Sequence, residues 1–512
     1  MDAAGTGATR RQTGGDSGAT LVVPEPAFIE GLIALFDSTA AGVDARRVLG
    51  DRQRAGLRGA ALLLMAVFLV VPKAVLIALS LVTSVAFLAL GIVRLLASAA
   101  PDRAALPKRA LADDVLPVYT VLVPLRREAR VVPRLVANLG ALAYPPDKLD
   151  IKMLVEADDP ETASALARHA GALAAEIVIL PPVGPMTKPK ALDAGLALAR
   201  GDLITVFDAE DRPEPDQLRV SAETFAAGSD DLACLQARLV IDHPEEGWFP
   251  TMFAIEYAML FDGLLPWLAR GGYPFLLGGT SNHFRRSALL AVGGWDPWNV
   301  TEDADLALRL AAAGCRSGLI ASATFEEAPL ALRPWLRQRT RWLKGWLQTW
   351  FVHMRHPATL LRLVGPGAFS MIQLQLLASL GAIAAHPVWA VLVAAALMGL
   401  APLGTDGSVT GDLVMVFSAS AFAIGWLAAA RLAVTALERR RFVRGRRALV
   451  WLPLYWLLMS WALGLAVIDL VRRPHFWAKT AHGLARRPSG TLQERRSATK
   501  RAAAASVSAA AP

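Results

Sequence analysis

The chain has 512 residues, of which 54% are hydrophobic, and a net charge of +9. The apolar residues concentrate near 56–98 and 366–470 around a stretch of ordinary globular composition, which excludes a wholly soluble protein. The positive excess lies beside the apolar segments, as in cytoplasmic membrane anchoring, and with no binding motif beside it nucleic acid is not an expected partner. Cys234 and Cys315, the two cysteines, form no metal-spaced cluster and predict no disulfide in a cytosolic domain.

Residues 1–55 open with a Gly, Thr, Ser and Asp-rich run that lacks the basic-then-apolar order of a cleavable signal, and they read as a mostly disordered cytoplasmic tail. Two apolar runs follow, 56–71 and 74–98, separated by Pro72-Lys73. At about 1.5 Å per residue they reach about 24 and 37 Å, against a hydrocarbon core of about 30 Å, so 56–98 predicts a transmembrane hairpin, with a single kinked span as the alternative because the first run is slightly short.

From 115 the pattern changes. Short β-type runs at 118–123, 151–155, 177–180, 203–207 and 232–235 alternate with helical periodicity at 131–142, 162–174, 189–200 and 216–227. Such alternation predicts an α/β, Rossmann-like domain over 115–350, a parallel sheet with helices on both faces. Nucleotides bind these sheets at the carboxyl ends of the strands, and there the sequence turns acidic: 156–159 (EADD) after one strand and 208–211 (DAED) after another.

Residues 351–366 predict an interfacial helix and 367–470 the C-terminal transmembrane helices, with apolar runs near 367–385, 388–403, 412–436 and 448–470. Four spans would send the basic run 439–447 outward, against the positive-inside tendency. One segment is therefore expected to lie flat at the interface, with part of 355–375 the candidate. A basic tail, 471–512, ends in a low-complexity Ala/Ser/Arg stretch from 495.

Several residues carry chemistry. Asp208 and Glu210, one residue apart on a strand-end turn, can both reach a divalent cation that also holds a diphosphate; the bland alternative is an acidic helix start. Asp158 and Asp159 end another strand, where a carboxylate can accept from a uracil N–H or simply cap the next helix. Lys188 and Lys190 precede a helix between the two acidic turns and can meet phosphate oxygens, although surface lysines are common. In Thr301-Glu302-Asp303, Asp303 is the candidate general base and Glu302 its catalytic neighbour. The alternative is helix capping, but Asp296 and Asp305 also stand close, and capping needs only one acid.

Gln338, Arg341 and Trp342 follow about 35 residues later on an Arg- and Trp-rich helical run. Trp342 can lay its face against a sugar ring, and Arg341 can neutralise a departing diphosphate. The alternative is a basic amphipathic helix on a membrane surface. Gly279 and Thr280, in the small-residue run 278–283 (GGTSNH), can let an acceptor sugar approach the backbone, while His283 reads as structural.

In this order, Asp158/Asp159, Asp208-Ala-Glu210, Thr301-Glu302-Asp303 and Gln338-Arg-Thr-Arg341-Trp342 resemble the membrane-embedded, processive branch of the family 2 glycosyltransferases, which includes cellulose and hyaluronan synthases. Longer stretches such as FDAEDRPEPDQLR, GGWDPWNVTEDADLALRL and QRTRWLKGW resemble the bacterial subgroup of phage N4 adsorption protein B and similar exopolysaccharide synthases. The resemblance implies a nucleotide-sugar-binding GT-A fold, a UDP-sugar donor, Mg²⁺ or Mn²⁺ on Asp208 and Glu210, and inversion at the anomeric carbon. It also implies that Asp303 is the base and that Trp342 lines the acceptor site; the reading of the residues makes Asp158, Asp159, Lys188, Lys190, Asp208, Gln338 and Arg341 the candidates to hold the donor, and Gly279 and Thr280 the candidates to meet the acceptor beside Trp342. Glu210 stands where the family usually has Asp, leaving Asp211 as an alternative ligand, and Pro160 replaces the usual glycine after the first acidic pair. With no PilZ-like pattern in 471–512, direct regulation of the cellulose synthase kind is not expected.

The expectation is a hexosyltransferase of a bacterial inner membrane, multi-pass, with its catalytic domain cytosolic. It would move sugar from a UDP-sugar to a growing polysaccharide and pass the glycan outward, with envelope export proteins as possible partners. Two alternatives stay open: transfer of one sugar to a lipid carrier, and a non-catalytic transporter or receptor scaffold.

Overall fold

The computed structural model describes residues 9–13, 19–40, 42–101, 108–398, 409–442, 444–477 and 483. The expected tails from 495 onward and the polar loop before 409 lie outside them. Ten strands form one sheet: β1 (Thr9–Thr13), β2 (Thr20–Pro24), β3 (Tyr119–Leu125), β4 (Leu149–Glu156), β5 (Glu176–Leu180), β6 (Leu203–Val206), β7 (Arg212–Pro213), β8 (Leu232–Ile241), β9 (Asn282–Arg285) and β10 (Arg316–Glu326). Their order is β1-β2-β5-β4-β3-β6-β9-β8-β10-β7.

The run from β2 to β6 is parallel, as the alternating pattern requires. The sheet as a whole is mixed. β9 enters between β6 and β8 and pairs antiparallel with both, so the expected all-parallel sheet is corrected. Four residues with His283 and Asn282 among them carry no strand signal; β9 is set by its neighbours' unpaired edges.

The N-terminal segment is a second correction. Instead of a disordered tail, β2 pairs with β5, and helix α1 (Pro26–Thr39) buries Ile29, Ile33 and Phe36. Those positions, four and three apart, make one helical face, and each side chain buried contributes about 1.5–3 kcal/mol.

Helices α2 (Asp51–Val70) and α3 (Pro72–Ala99) meet at Pro72, which occupies the first helical position where a missing N–H costs nothing. Between the central strands run α4 (Val132–Gly140), α5 (Pro160–His169), α6 (Lys188–Ala197) and α7 (Gln217–Ala227). A helix from α8 (Trp248–Ala258) through a π turn into α9 (Leu265–Arg270) packs under the sheet. Then come α10 (Arg286–Ala291), α11 (Glu302–Ala312) and α12 (Leu332–His353).

The last group is α13 (Pro357–Gln373), α14 (Ser379–Leu397), α15 (Val409–Arg439), the short α16 (Gly445–Ala448) and α17 (Leu452–Arg472). Within α13 the helix breaks at Gly365, whose φ of 81° is followed by Pro366. No break occurs at His386-Pro387, which therefore does not separate two spans as the sequence reading had it. Proline lacks the N–H that would bond to Ile383, and the Ser460 hydroxyl on α17 donates to that carbonyl instead at 2.6 Å.

Among the described residues, six helical segments are long and apolar enough to cross a membrane: 51–70, 72–99, 248–270, 357–392, 409–439 and 445–472. The 248–270 segment is two-thirds buried inside the protein and belongs to its core.

Candidate active site

The carboxyl ends of β4, β6 and β10 and the loop entering β9 meet α12 around one cavity of about 180 Å³. Its lining includes Lys188, Asp208, Glu210, Gly279, Thr280, Glu302, Asp303, Gln338, Arg341 and Trp342. Side chains from positions 188 to 342 therefore converge. The parallel strands place Asp208 just past β6, and α12 closes the opposite wall.

Lys188 is the electrostatic centre. Its ammonium donates to Asp208 Oδ1 and to the Gly279 carbonyl, both at 2.7 Å, and lies 3.6 Å from Glu302. Burial pulls its pKa down, but Asp208, Glu302 and Asp303 more than offset this, and it stays a firm cation. Burial also raises Glu302, against the pull of Lys188. Asp303 is lifted to about 7 by burial and by Glu302, with Lys188 opposing. Gly279, at φ +79°, brings backbone so close that a Cβ there would lie 3.2 Å from Asp303 Oδ2.

Loop 298–301, which presents the base, is clamped by α12. Gln348 accepts from Val300 N and donates to the Trp298 carbonyl, both at 3.1 Å, and Asn299 donates to Thr349 at 3.1 Å. Gly345 permits the approach, because a Cβ there would overlap Thr301. Asp296 accepts from Ala45 N and Trp298 N, and Asp305 holds Arg309 and His353. Those two acids are structural, which leaves Glu302 and Asp303 facing the cavity.

On α12, the Arg341 guanidinium lies 5.2 Å over Trp477, and burial lowers its pKa against the pull of Glu302 and Asp208. Gln338 keeps a buried Oε1 without a partner. Trp342 is held by Arg339, 4.5 Å over its ring, and Arg339 is itself paired with Glu256 at 2.7 Å.

Three of the expected donor residues lie outside the cavity lining. Lys190 is buried and bound to Glu156 at 3.0 Å. Asp159 caps α5 through Thr162 N and also accepts from Arg127 N, so the capping alternative describes it. Asp158 is paired with Arg126, a lining residue, at 3.0 Å. Thr280 lines the cavity, but its hydroxyl donates to Asp211, which ties the 208–211 turn together. Asp211 is buried and its pKa is raised by burial, then by Asp208 and Glu210. Sequence reading missed Glu326, Tyr257, Trp346 and Trp477. An aromatic just past an apolar helix was the one signal for Trp477; the others come into contact only through the fold.

Among the described residues no three His, Cys, Asp or Glu side chains form a ready metal cage. Asp208 and Glu210 both face the cavity, and the buried Asp211 Oδ1 beside them has no hydrogen-bond partner among the described residues. Two carboxylates fit a hard cation that takes its remaining oxygens from phosphates and water.

Residues 203–402 match the glycosyl transferase family group 2. The chain is 27% identical over 239 residues to the probable glycosyltransferase YdaM of Bacillus subtilis (strain 168), covering 45% of this chain and 55% of that protein. It is 27% identical over 242 residues to a beta-monoglucosyldiacylglycerol synthase of Synechocystis sp., covering 47% and 50%, and 26% identical over 247 residues to glucomannan 4-beta-mannosyltransferase 2 of Arabidopsis thaliana, covering 46% and 45%. The chain thus spans about half the length of the curated relatives it matches. A solved structure, mannosyltransferase PcManGT from Pyrobaculum calidifontis in complex with GDP-Man and Mn2+, aligns with a TM-score of 0.49 at 18% identity, over 77% of this chain and 99% of that one. By sequence, then, residues 203–402 are similar to the family 2 glycosyltransferases.

Proposed function

We propose that the protein is a membrane-bound inverting glycosyltransferase that moves a hexose from a nucleotide sugar, a UDP-sugar by resemblance, to a growing glycan. The observation that carries the reading is one cavity lined at once by Asp208, Glu210, Glu302, Asp303, Gln338, Arg341 and Trp342. Asp303 takes the proton of the acceptor hydroxyl, whose oxygen bonds to the anomeric carbon as the bond to the diphosphate breaks on the opposite face. Lys188 and Arg341 bring positive charge to the side where the diphosphate departs. A Mg²⁺ or Mn²⁺ ion held by Asp208 and Glu210 would supply further charge to that leaving group. Trp342, held between Arg339 and Phe253, offers a fixed face for the acceptor sugar.

We further infer that four segments cross the bilayer: α2, α3, the continuous helix from Pro366 through α14, and α15. The segment leading into α17 and the C-terminal end of α17 both touch the α/β domain, through Arg444–Glu245 at 3.0 Å and through Lys344–Asp469 at 2.7 Å, which supports α17 lying along the interface. A catalytic domain on the cytosolic side of an inner membrane follows from the basic flanks.

A second reading, one sugar placed on a lipid, is favoured by one observation: Phe87, Trp389 and Phe422 pack together among the crossing helices and leave the bundle closed there. Purified protein given UDP-sugars and metal should release UDP, and Asp303→Asn should cut release by about 10²-fold or more. Equal release from both proteins would sink the base assignment. A product ladder supports the polymer reading, and a single product supports the lipid one.

A further inference from the structure

Arg94 is the one charged residue of α3 beyond Lys73 at its start. Among the described residues no carboxylate contacts it; it lies over the face of Trp456 on α17, 5.9 Å away. Around it, His386 of α14 stacks on Trp426 of α15 at 5.8 Å and meets Trp456 edge-on at 5.6 Å. The indole N–H of Trp426 is buried with no acceptor. Arg94 on α3 and Trp426 on α15 thus both lie against Trp456 of α17, and neither the guanidinium nor the indole N–H has an acceptor among the described residues.

Depth decides what could answer them. The end of α3 lies against the α/β domain, because Arg439 donates both to the Ala100 carbonyl and to the Asp262 carbonyl. Arg94 sits six residues earlier, about 9 Å deeper at 1.5 Å per residue. A headgroup layer is about 5–8 Å thick on each side of the hydrocarbon core. The side chain therefore reaches the boundary where lipid phosphates sit, and a guanidinium with an added N–H donor matches phosphate oxygens.

We propose that Arg94, Trp426 and Trp456 form a binding site for the phosphate of a membrane lipid. The source is either a bilayer phospholipid or a phosphate-linked lipid acceptor, and the chemistry is shared. The site rests on the membrane placement proposed above and not on the catalytic roles.

The test uses the full chain reconstituted in phosphate-free galactolipid vesicles, with or without phosphatidylglycerol, and reads the thermal midpoint. Wild type should gain several degrees with phosphatidylglycerol, Arg94→Leu should lose that gain, and Arg94→Lys should keep part of it. Trp426→Phe, which removes only the N–H, should reduce the gain and guards against misfolding in the arginine variant. Asp303→Asn should respond as wild type does, which separates this site from the catalytic reading. Native mass spectrometry then distinguishes the sources: a polyprenyl monophosphate that displaces phosphatidylglycerol marks an acceptor site, and a lipid that stays marks a resident one. An equal gain in wild type, Arg94→Leu and Trp426→Phe would mean that Arg94 merely extends toward the headgroups, and would overturn the site.

Discussion

Asp303 is a base only when ionised, and its surroundings resist ionisation. Burial and Glu302 lift it to about 7, with Lys188 pulling the other way. The free enzyme's kcat/KM should therefore fall as pH drops through about 7, approaching tenfold per pH unit well below it. Glu302→Gln removes a charge that raises Asp303, so the acidic limb should move to lower pH. An unmoved limb in a pH profile of UDP release would refute that coupling. Gly279 sets a different limit. Gly279→Ala places a methyl 3.2 Å from Asp303 Oδ2 in a backbone conformation unfavourable to alanine, and should lower kcat by at least about tenfold with the fold retained on circular dichroism. At this scale the sequence was informative about which chemical types meet at the cavity, as for Asp208, Asp303 and Trp342, which all line it. It was uninformative where two neighbours of one type divide the work. Nothing in the letters separates Asp158 from Asp159, or Lys188 from Lys190; the turn after β4 gives Asp158 to Arg126 and Asp159 to the cap of α5, and the first turn of α6 turns Lys188 to the cavity and Lys190 to Glu156.

The elements around the site act through α12. Its register against α11 depends on Gly345, and Gly345→Ala would force the two helices apart at Thr301. Overpacking of this kind costs about 1–3 kcal/mol, and here it also shifts the loop holding Asp303. We expect a lower thermal midpoint together with reduced UDP release; a variant that loses stability but keeps full activity would show that the clamp does not position the base. Periodicity made β3 to β6 and their helices legible, because each buries a regular apolar face. It could not reveal β9, whose four residues are held by the edges of β6 and β8, nor the helix from 248 to 270, which is apolar on all sides and has no stripe to read. In α14, Pro387 looked like a stop. Ser460→Ala would leave the Ile383 carbonyl unanswered in an apolar setting and should destabilise the bundle by about 1–3 kcal/mol, read as a lower detergent melting midpoint.

Across the whole molecule, charge and connectivity bear on a conflict that hydropathy alone creates, and they support the four-crossing arrangement proposed above. Four C-terminal spans would place 439–447 on the far side from the α/β domain. Yet Arg440 is bound to Asp262 and to the Leu239 carbonyl, and Arg444 to Glu245, all on the domain. At the other end of α17, Arg473 is paired with Asp469, Lys344 holds the carbonyl of Phe476, and His475 lies 3.1 Å from the carbonyl of Trp298. On the proposed arrangement a helix whose flanking segments are both anchored to one domain does not carry the chain across, however apolar it is. The basic runs near 440 and 472 then share a side, as the positive-inside tendency asks. Hydropathy counts apolar length, and an interfacial helix packed against α12 has that length without crossing. Single cysteines introduced at Arg441, Arg472 and Val409, in a background lacking Cys234 and Cys315, test the arrangement. A membrane-impermeant maleimide applied to intact cells should label position 409 and spare 441 and 472 until the membrane is opened. Labelling of 472 but not 441 in intact cells would mean that α17 spans after all, and the four-crossing arrangement would fall.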